Sequence, residues 1–175
     1  SMVFFDKLFK PKKIIGVELS PVPIAALDTY INSAAPHMKV FYNSSQDDET
    51  LLKRVFDSYL EGQLDLVVDD ASHLYDQTRK SMEVLFPLLS PGGTYIIEDW
   101  AWSHRGRAQE GNHPWKDKPS MTNLIFQIVA ELGTSNEIEN VYINKNHVRI
   151  TKSKNGTAAM VLNDLALRGE KMTLI

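Results

Sequence analysis

Residues Leu64 to Trp100 read LDLVVDDASHLYDQTRKSMEVLFPLLSPGGTYIIEDW, and their pattern decides the fold. Leu66-Val67-Val68 is an apolar run without polar alternation, which suits a strand covered on both faces, as in parallel sheets flanked by helices. Over Tyr75 to Leu89, the residues Met82, Leu85, Phe86 and Leu89 recur at three- and four-residue spacing and fall on one helix face. Pro91-Gly92-Gly93 stops that helix and turns the chain into a second strand, TYIIEDW. This is a strand-helix-strand unit, and each strand ends in a pair of acids, Asp69-Asp70 and Glu98-Asp99.

If the two strands lie side by side, roughly 4.8 Å apart, their carboxyl ends carry four carboxylates into the region where open α/β sheets bind ligands. Unpaired, these groups would repel one another and take up protons. A cation resolves the conflict. Oxygen donors and the absence of cysteine favour a hard ion, magnesium first and manganese or calcium next. The competing reading treats acids at strand ends as solvated loop residues. Two such pairs on consecutive strands, with His73 three residues past Asp70, favour the site.

The chain has 175 residues and is 43% hydrophobic, which suits one domain with its own core. A formal net charge of −3, with no block of Lys or Arg, argues against nucleic acid and for small molecules as partners. Zero cysteines exclude disulfides, thiolate zinc sites and cysteine nucleophiles, and are compatible with a cytoplasmic home. No apolar run approaches the roughly 20 residues of a membrane span, and no signal-peptide apolar region stands at the start, so no membrane partner is expected. The oligomeric state is open, a homo-oligomer included.

Elsewhere the chain alternates in the same way. Met2 to Phe9 predicts a short helix and Ile14 to Leu19 a buried strand ending at Glu18, followed by a turn at Ser20-Pro21. An acid there can accept two hydrogen bonds from a ribose diol, although a lone acid is as readily a cap or a loop residue. Val22 to Ala34 predicts a helix, Met38 to Tyr42 a strand, and Glu49 to Leu60 another helix behind the polar loop Asn43 to Asp48, whose acids favour that helix's N-terminus. Trp100 to Ser120 has no periodicity and follows an acid-bearing strand end, so it is expected to be a lid or substrate loop, disorder being the alternative. Met121 to Leu132 predicts a helix, Glu139 to Asn144 and His147 to Lys152 a hairpin, and Val161 to Arg168 a short helix. His147 alternates among strand residues and is expected to be structural. The fold class is a doubly wound, mostly parallel α/β sheet with a C-terminal antiparallel hairpin.

The residues Asp70-Ala71-Ser72-His73, Pro91-Gly92-Gly93 and Glu98-Asp99 resemble those of class I S-adenosylmethionine-dependent methyltransferases. More narrowly, they are similar to the metal-dependent O-methyltransferases of macrolide sugar hydroxyls and to cephalosporin-hydroxylase-like relatives, where glycine usually stands at the position of Ala71. The resemblance covers Ile14 to Asp99 and, loosely, the hairpin. It implies magnesium ligands at Asp70, Glu98 and Asp99, a general base at His73, and cofactor contacts at Glu18 (the ribose), Gln46 and Asp47 (the adenine end) and Asp70. It also implies a first strand and glycine-rich turn that are not found ahead of Ser1. That strand would lie between those ending at Glu18 and Asp70, so its absence would leave two half-sheets with unpaired edges.

The implied reaction moves a methyl group from S-adenosylmethionine to a small-molecule hydroxyl, on a sugar or polyketide-type natural product, with His73 taking the proton. His104 and His113 are next in line as bases. Trp100, Trp102 and Trp115 suit stacking on a sugar face or plugging the core. A catechol-type O-methyltransferase and a non-catalytic binding module on the same fold are the rival readings.

Overall fold

The computed structural model describes residues 1–156, 162, 166–167 and 170–171. Its first half alternates as expected: α1 (Met2–Phe9), β1 (Ile14–Val17), α2 (Ala25–Ala34), β2 (Met38–Phe41), α3 (Glu49–Ser58), β3 (Leu66–Asp69), α4 (Tyr75–Leu85) and β4 (Thr94–Glu98). The long loop holds 3-10 turns at Trp102–His104 and Gly106–Gln109, and α5 (Met121–Thr134), β5 (Ile138–Ile143) and β6 (His147–Lys152) follow it.

Local chemistry explains the boundaries that differ from the sequence reading. α2 starts at Ala25 rather than near Val22, because Pro23 disfavours a helical conformation at Val22. α4 ends at Leu85 rather than Leu89, because Pro87 has no N–H to continue the ladder. The next residues tighten instead, with Leu88 N–H bonded to Leu85 O and Leu89 N–H to Phe86 O. Glycine is required at 93: a Cβ there would sit 2.8 Å from the Ser90 carbonyl oxygen and 3.2 Å from that of Asp65.

β1 pairs in parallel with β2, and β3 in parallel with β4. The hairpin is antiparallel and joins through β6, giving the order β3-β4-β6-β5. Among the described residues these are two separate sheets, so the doubly wound layer is divided between β1 and β3. Ala166–Leu167 pairs with Glu170–Lys171 in a further short ladder. The helix expected over Val161 to Arg168 lies for the most part outside the described residues, and Ala166–Leu167 within that span is strand.

The core sits on the four-stranded side. Tyr95 and Ile97 of β4, Val148 and Ile150 of β6, Met82 of α4, Phe86 just after it, and Leu124 and Ile128 of α5 are at most 1% exposed. Each such side chain contributes roughly 1.5–3 kcal/mol through burial. By contrast, α1, β1 and α2 have no buried residue. Phe4, Leu8 and Phe9 on α1 are 63%, 57% and 60% exposed, and Leu66 at the start of β3 is 40% exposed. The apolar faces of the first half are therefore uncovered where the sheet is divided. No helix among the described residues is long and apolar enough to cross a membrane.

Candidate active site

β3 and β4 run in parallel and deliver both acid pairs to the same end of the sheet. Side chains alternate along a strand, so Asp69 and Asp70 turn to opposite sides. Asp69 is 8% exposed, and its carboxylate accepts from Ser81 Oγ at 2.9 Å, Tyr95 OH at 3.0 Å and Gln46 Nε2 at 3.1 Å. Burial pushes its pKa above the ordinary carboxylate value, against the lowering effect of these hydrogen bonds. The expectation that four carboxylates share one pocket is corrected here, because Asp69 is withdrawn into a buried network.

Asp70, His73 and Asp99 come together: one ligand atom from each lies within 4.8 Å of the others. His73 Nε2 stands 3.9 Å from Asp70 Oδ1. Glu98 closes β4 beside this group. Its pKa is raised first by burial and then by the negative charges of Asp70 and Asp99. His147 lies opposite Glu98 in the β4–β6 register, and its charge acts in the other direction. Three neighbouring carboxylates with an imidazole among them fit a hard divalent cation in donor type and charge.

The backbone at this cluster is strained. His73 (φ 54°) and Asp99 (φ 51°) both occupy the left-handed region without being glycine, a feature concentrated at functional sites. The hairpin turn helps to hold Asp99, whose N–H donates to the Asn146 carbonyl at 2.8 Å. Asn144 Oδ1 accepts from the N–H groups of Asn146 at 2.8 Å and His147 at 2.9 Å, which fixes that turn. Sequence reasoning missed these asparagines, and Asn144-Lys145-Asn146 between two strands was the available signal.

The long loop lies over His73. The His73 ring is 4.8 Å from that of Trp102 and 6.1 Å from that of Trp115, and the two indoles are 5.6 Å apart. The Arg105 guanidinium stands 5.1 Å from the Trp102 ring, and His113 stacks 4.6 Å from Trp115. These contacts leave the His73 side chain 12% exposed. Trp100 takes the other role anticipated for the tryptophans. It packs against the core and donates from Nε1 to the Asn144 carbonyl at 2.9 Å. His104 is exposed and bonds the Thr122 hydroxyl.

The residues expected at the cofactor are spread over three strand ends. Glu18, just past β1, accepts from the Ser20 N–H at 2.8 Å. In the loop after β2, Asp47 accepts from Ser45 Oγ, and Asp48 caps α3 by accepting from Leu51 N–H at 3.0 Å. Gln46 reaches across to β3, where its Nε2 donates to Asp69 and its Oε1 accepts from the Ser72 N–H at 2.9 Å.

Parallel strands joined by helices, with an antiparallel hairpin at one side and an acidic site at the strand ends, make a mixed α/β fold that is also found in methyltransferases of known structure. Superposition on known structures bears this out. The structure of the MycE methyltransferase from the mycinamycin biosynthetic pathway, in complex with Mg, SAH and mycinamycin VI, matches with a TM-score of 0.59 and 19% identity, over 91% of this chain and 50% of that one. A second MycE structure, with Mg and SAH, matches equally well, with a TM-score of 0.59 and 18% identity over 91% of this chain and 49% of that one. In sequence, the chain is 43% identical over 54 residues to L-olivosyl-oleandolide 3-O-methyltransferase of Streptomyces antibioticus, a stretch covering 31% of this chain and 14% of that protein. It is 43% identical over 72 residues to demethylmacrocin O-methyltransferase of Streptomyces fradiae, covering 41% of this chain and 18% of that protein. The chain thus spans about half the length of the solved relatives, and its matched stretches cover less than a fifth of these two curated ones. No protein-family model matches the chain.

Proposed function

We propose that this chain carries the catalytic site of a metal-dependent O-methyltransferase that methylates a hydroxyl of a small natural product, on a sugar or polyketide-type acceptor. The observation that carries the reading is the convergence of Asp70, His73 and Asp99 within 4.8 Å at the ends of adjacent parallel strands, in a fold shared with MycE. The curated relatives with local similarity are named as O-methyltransferases, among them those of L-olivosyl-oleandolide and of a rhamnosyl tetracenomycin C, which supports the same acceptor class.

When bound, S-adenosylmethionine supplies the methyl group, and a divalent cation held by Asp70, Glu98 and Asp99 supplies the charge that acidifies the accepting hydroxyl. Glu18 and Asp47 hold the ribose and adenine ends of the cofactor. His73 accepts the hydroxyl proton at Nε2, with Asp70 at 3.9 Å to stabilise the imidazolium that forms. Trp102 and Trp115 pack beside the His73 ring and offer an apolar wall to the acceptor. Transfer of labelled methyl from S-adenosylmethionine to a glycosylated macrolide, abolished by a chelator and restored by magnesium, is the expected result. Transfer undiminished in excess chelator would overturn the metal role.

The division of the sheet supports a second element of this reading. α1 leads into β1 as α2 leads into β2, which supports reading α1 as a crossover helix from a strand parallel to β1. Such a strand, N-terminal to α1, would pair with β1 on one side and β3 on the other and would cover Leu66 and the apolar face of α1.

A further inference from the structure

Gln46 lies in the loop between β2 and α3, yet its side chain bonds to the end of β3 and to the turn and helix that follow it. Nε2 is 3.1 Å from each carboxylate oxygen of Asp69 and 3.5 Å from Thr78 Oγ1 and Ser81 Oγ. Oε1 accepts the Ser72 N–H at 2.9 Å. Chemistry fixes this orientation. The flipped amide would put an acceptor oxygen against a carboxylate and a donor against the Ser72 N–H.

The Asp69 carboxylate is also anchored by Ser81 and by Tyr95, which is 0% exposed, so it makes a post in the core. The Gln46 amide spans from that post to the Ala71–Ser72 peptide, one residue short of His73. The chain between them, Asp70 and Ala71, is exposed and makes the sharp turn that ends with His73 in the left-handed region. Ser72 is gripped on its other side too, since its carbonyl accepts from Trp115 Nε1 at 3.3 Å.

We propose that Gln46 is a positioning residue of the catalytic site: its amide holds the Asp70–His73 turn in register with the buried Asp69, so that Asp70 and His73 meet Asp99. The proposal rests on the metal-dependent transferase reading, and it gives Gln46 a role distinct from an adenine contact. It also makes the β2–α3 loop a brace between the two separate sheets at the one place where the site must be rigid.

The test compares the chain with Gln46→Met, which keeps the length of the side chain and removes both bonds. Ser81→Ala serves as control, since it removes another bond to Asp69 without touching Ser72. Manganese affinity is read by electron paramagnetic resonance, and exchange of the Ser72 amide hydrogen by NMR. Gln46→Met is expected to weaken manganese binding ~10-fold or more, as loss of an outer support of a metal site does, and to speed Ser72 exchange by about fivefold, the loss of one hydrogen bond. Ser81→Ala, which loosens Asp69 but keeps the Gln46–Ser72 bond, is expected to lower the melting temperature and to change both readouts less than Gln46→Met does. If Gln46→Met does not fold, Gln46→Asn, too short to span Asp69 and Ser72, replaces it with the same expected result. Unchanged Ser72 exchange in the Gln46 variant, or equal loss of manganese in Ser81→Ala, would overturn the proposal. Asp99→Asn separates the two claims: if it binds manganese as tightly as the parent, the metal reading fails, while Ser72 exchange still decides the role of Gln46.

Discussion

The indole Nε1 of Trp115 donates to the carbonyl oxygen of Ser72 at 3.3 Å, which fastens the long loop to the residue that precedes His73. The loop therefore helps to hold the turn that carries His73 as well as covering it. Trp115→Phe keeps a ring beside His73 and removes the donor, a net loss of about 1 kcal/mol. Steady-state kinetics should show turnover reduced by about fivefold with cofactor affinity unchanged. Parental turnover would mean that the bond plays no part in placing the base.

Replacing His73 by Gln retains hydrogen bonding and removes the proposed base. Turnover should fall by ~10²–10⁴, while calorimetry should show S-adenosylhomocysteine bound as by the parent. A decrease of only a few-fold would move the proton acceptor to another group. His113, stacked on Trp115, would be the next to examine.

The chain joins its halves through α3 and α4 as well, where Glu49 pairs with Lys53 at 2.6 Å and with Lys80 at 2.5 Å. These two ammonium groups hold the Glu49 carboxyl down at about 2. Its folded value lies below the unfolded value of about 4.3. The pairs therefore favour the fold fully above that pH, and their contribution is lost as the pH falls toward about 2. A carbon-13 NMR titration should find the low midpoint, and Lys80→Met should raise it. An ordinary midpoint in the parent would show that neither pair forms in solution.

Much of this was legible in the sequence, because the decisive signals were local. The apolar run Leu66-Val67-Val68, the helical spacing of Met82, Leu85 and Phe86, and the turn at Pro91-Gly92-Gly93 each specify one element without help from distant residues. The division of labour between Asp69 and Asp70 was not legible. Two adjacent acids look alike until Ser81 and Tyr95, remote in sequence, claim one of them. Left-handed conformations at His73 and Asp99 carry no compositional signal either, since neither residue is glycine. The Trp102–His73–Trp115 cluster forms in a loop without periodicity, and pattern reading has no hold on it.

A strand N-terminal to α1 should complete the cofactor pocket by pairing with β1 and β3. Calorimetry with S-adenosylhomocysteine on this chain and on a longer version carrying such a strand is the comparison to make. The longer protein should bind tightly and this one weakly. Equally tight binding by both would show that the divided sheet is already competent.

The central claim is that Asp70 and Asp99, with Glu98 beside them, hold a divalent cation next to His73. Crystals of the chain grown with manganese, measured for anomalous scattering at the manganese edge, test it most directly. The account predicts one strong peak bridging the Asp70 and Asp99 carboxylates at about 2 Å from their oxygens. An empty cluster at saturating manganese, or a peak bound only by residues elsewhere, would contradict it.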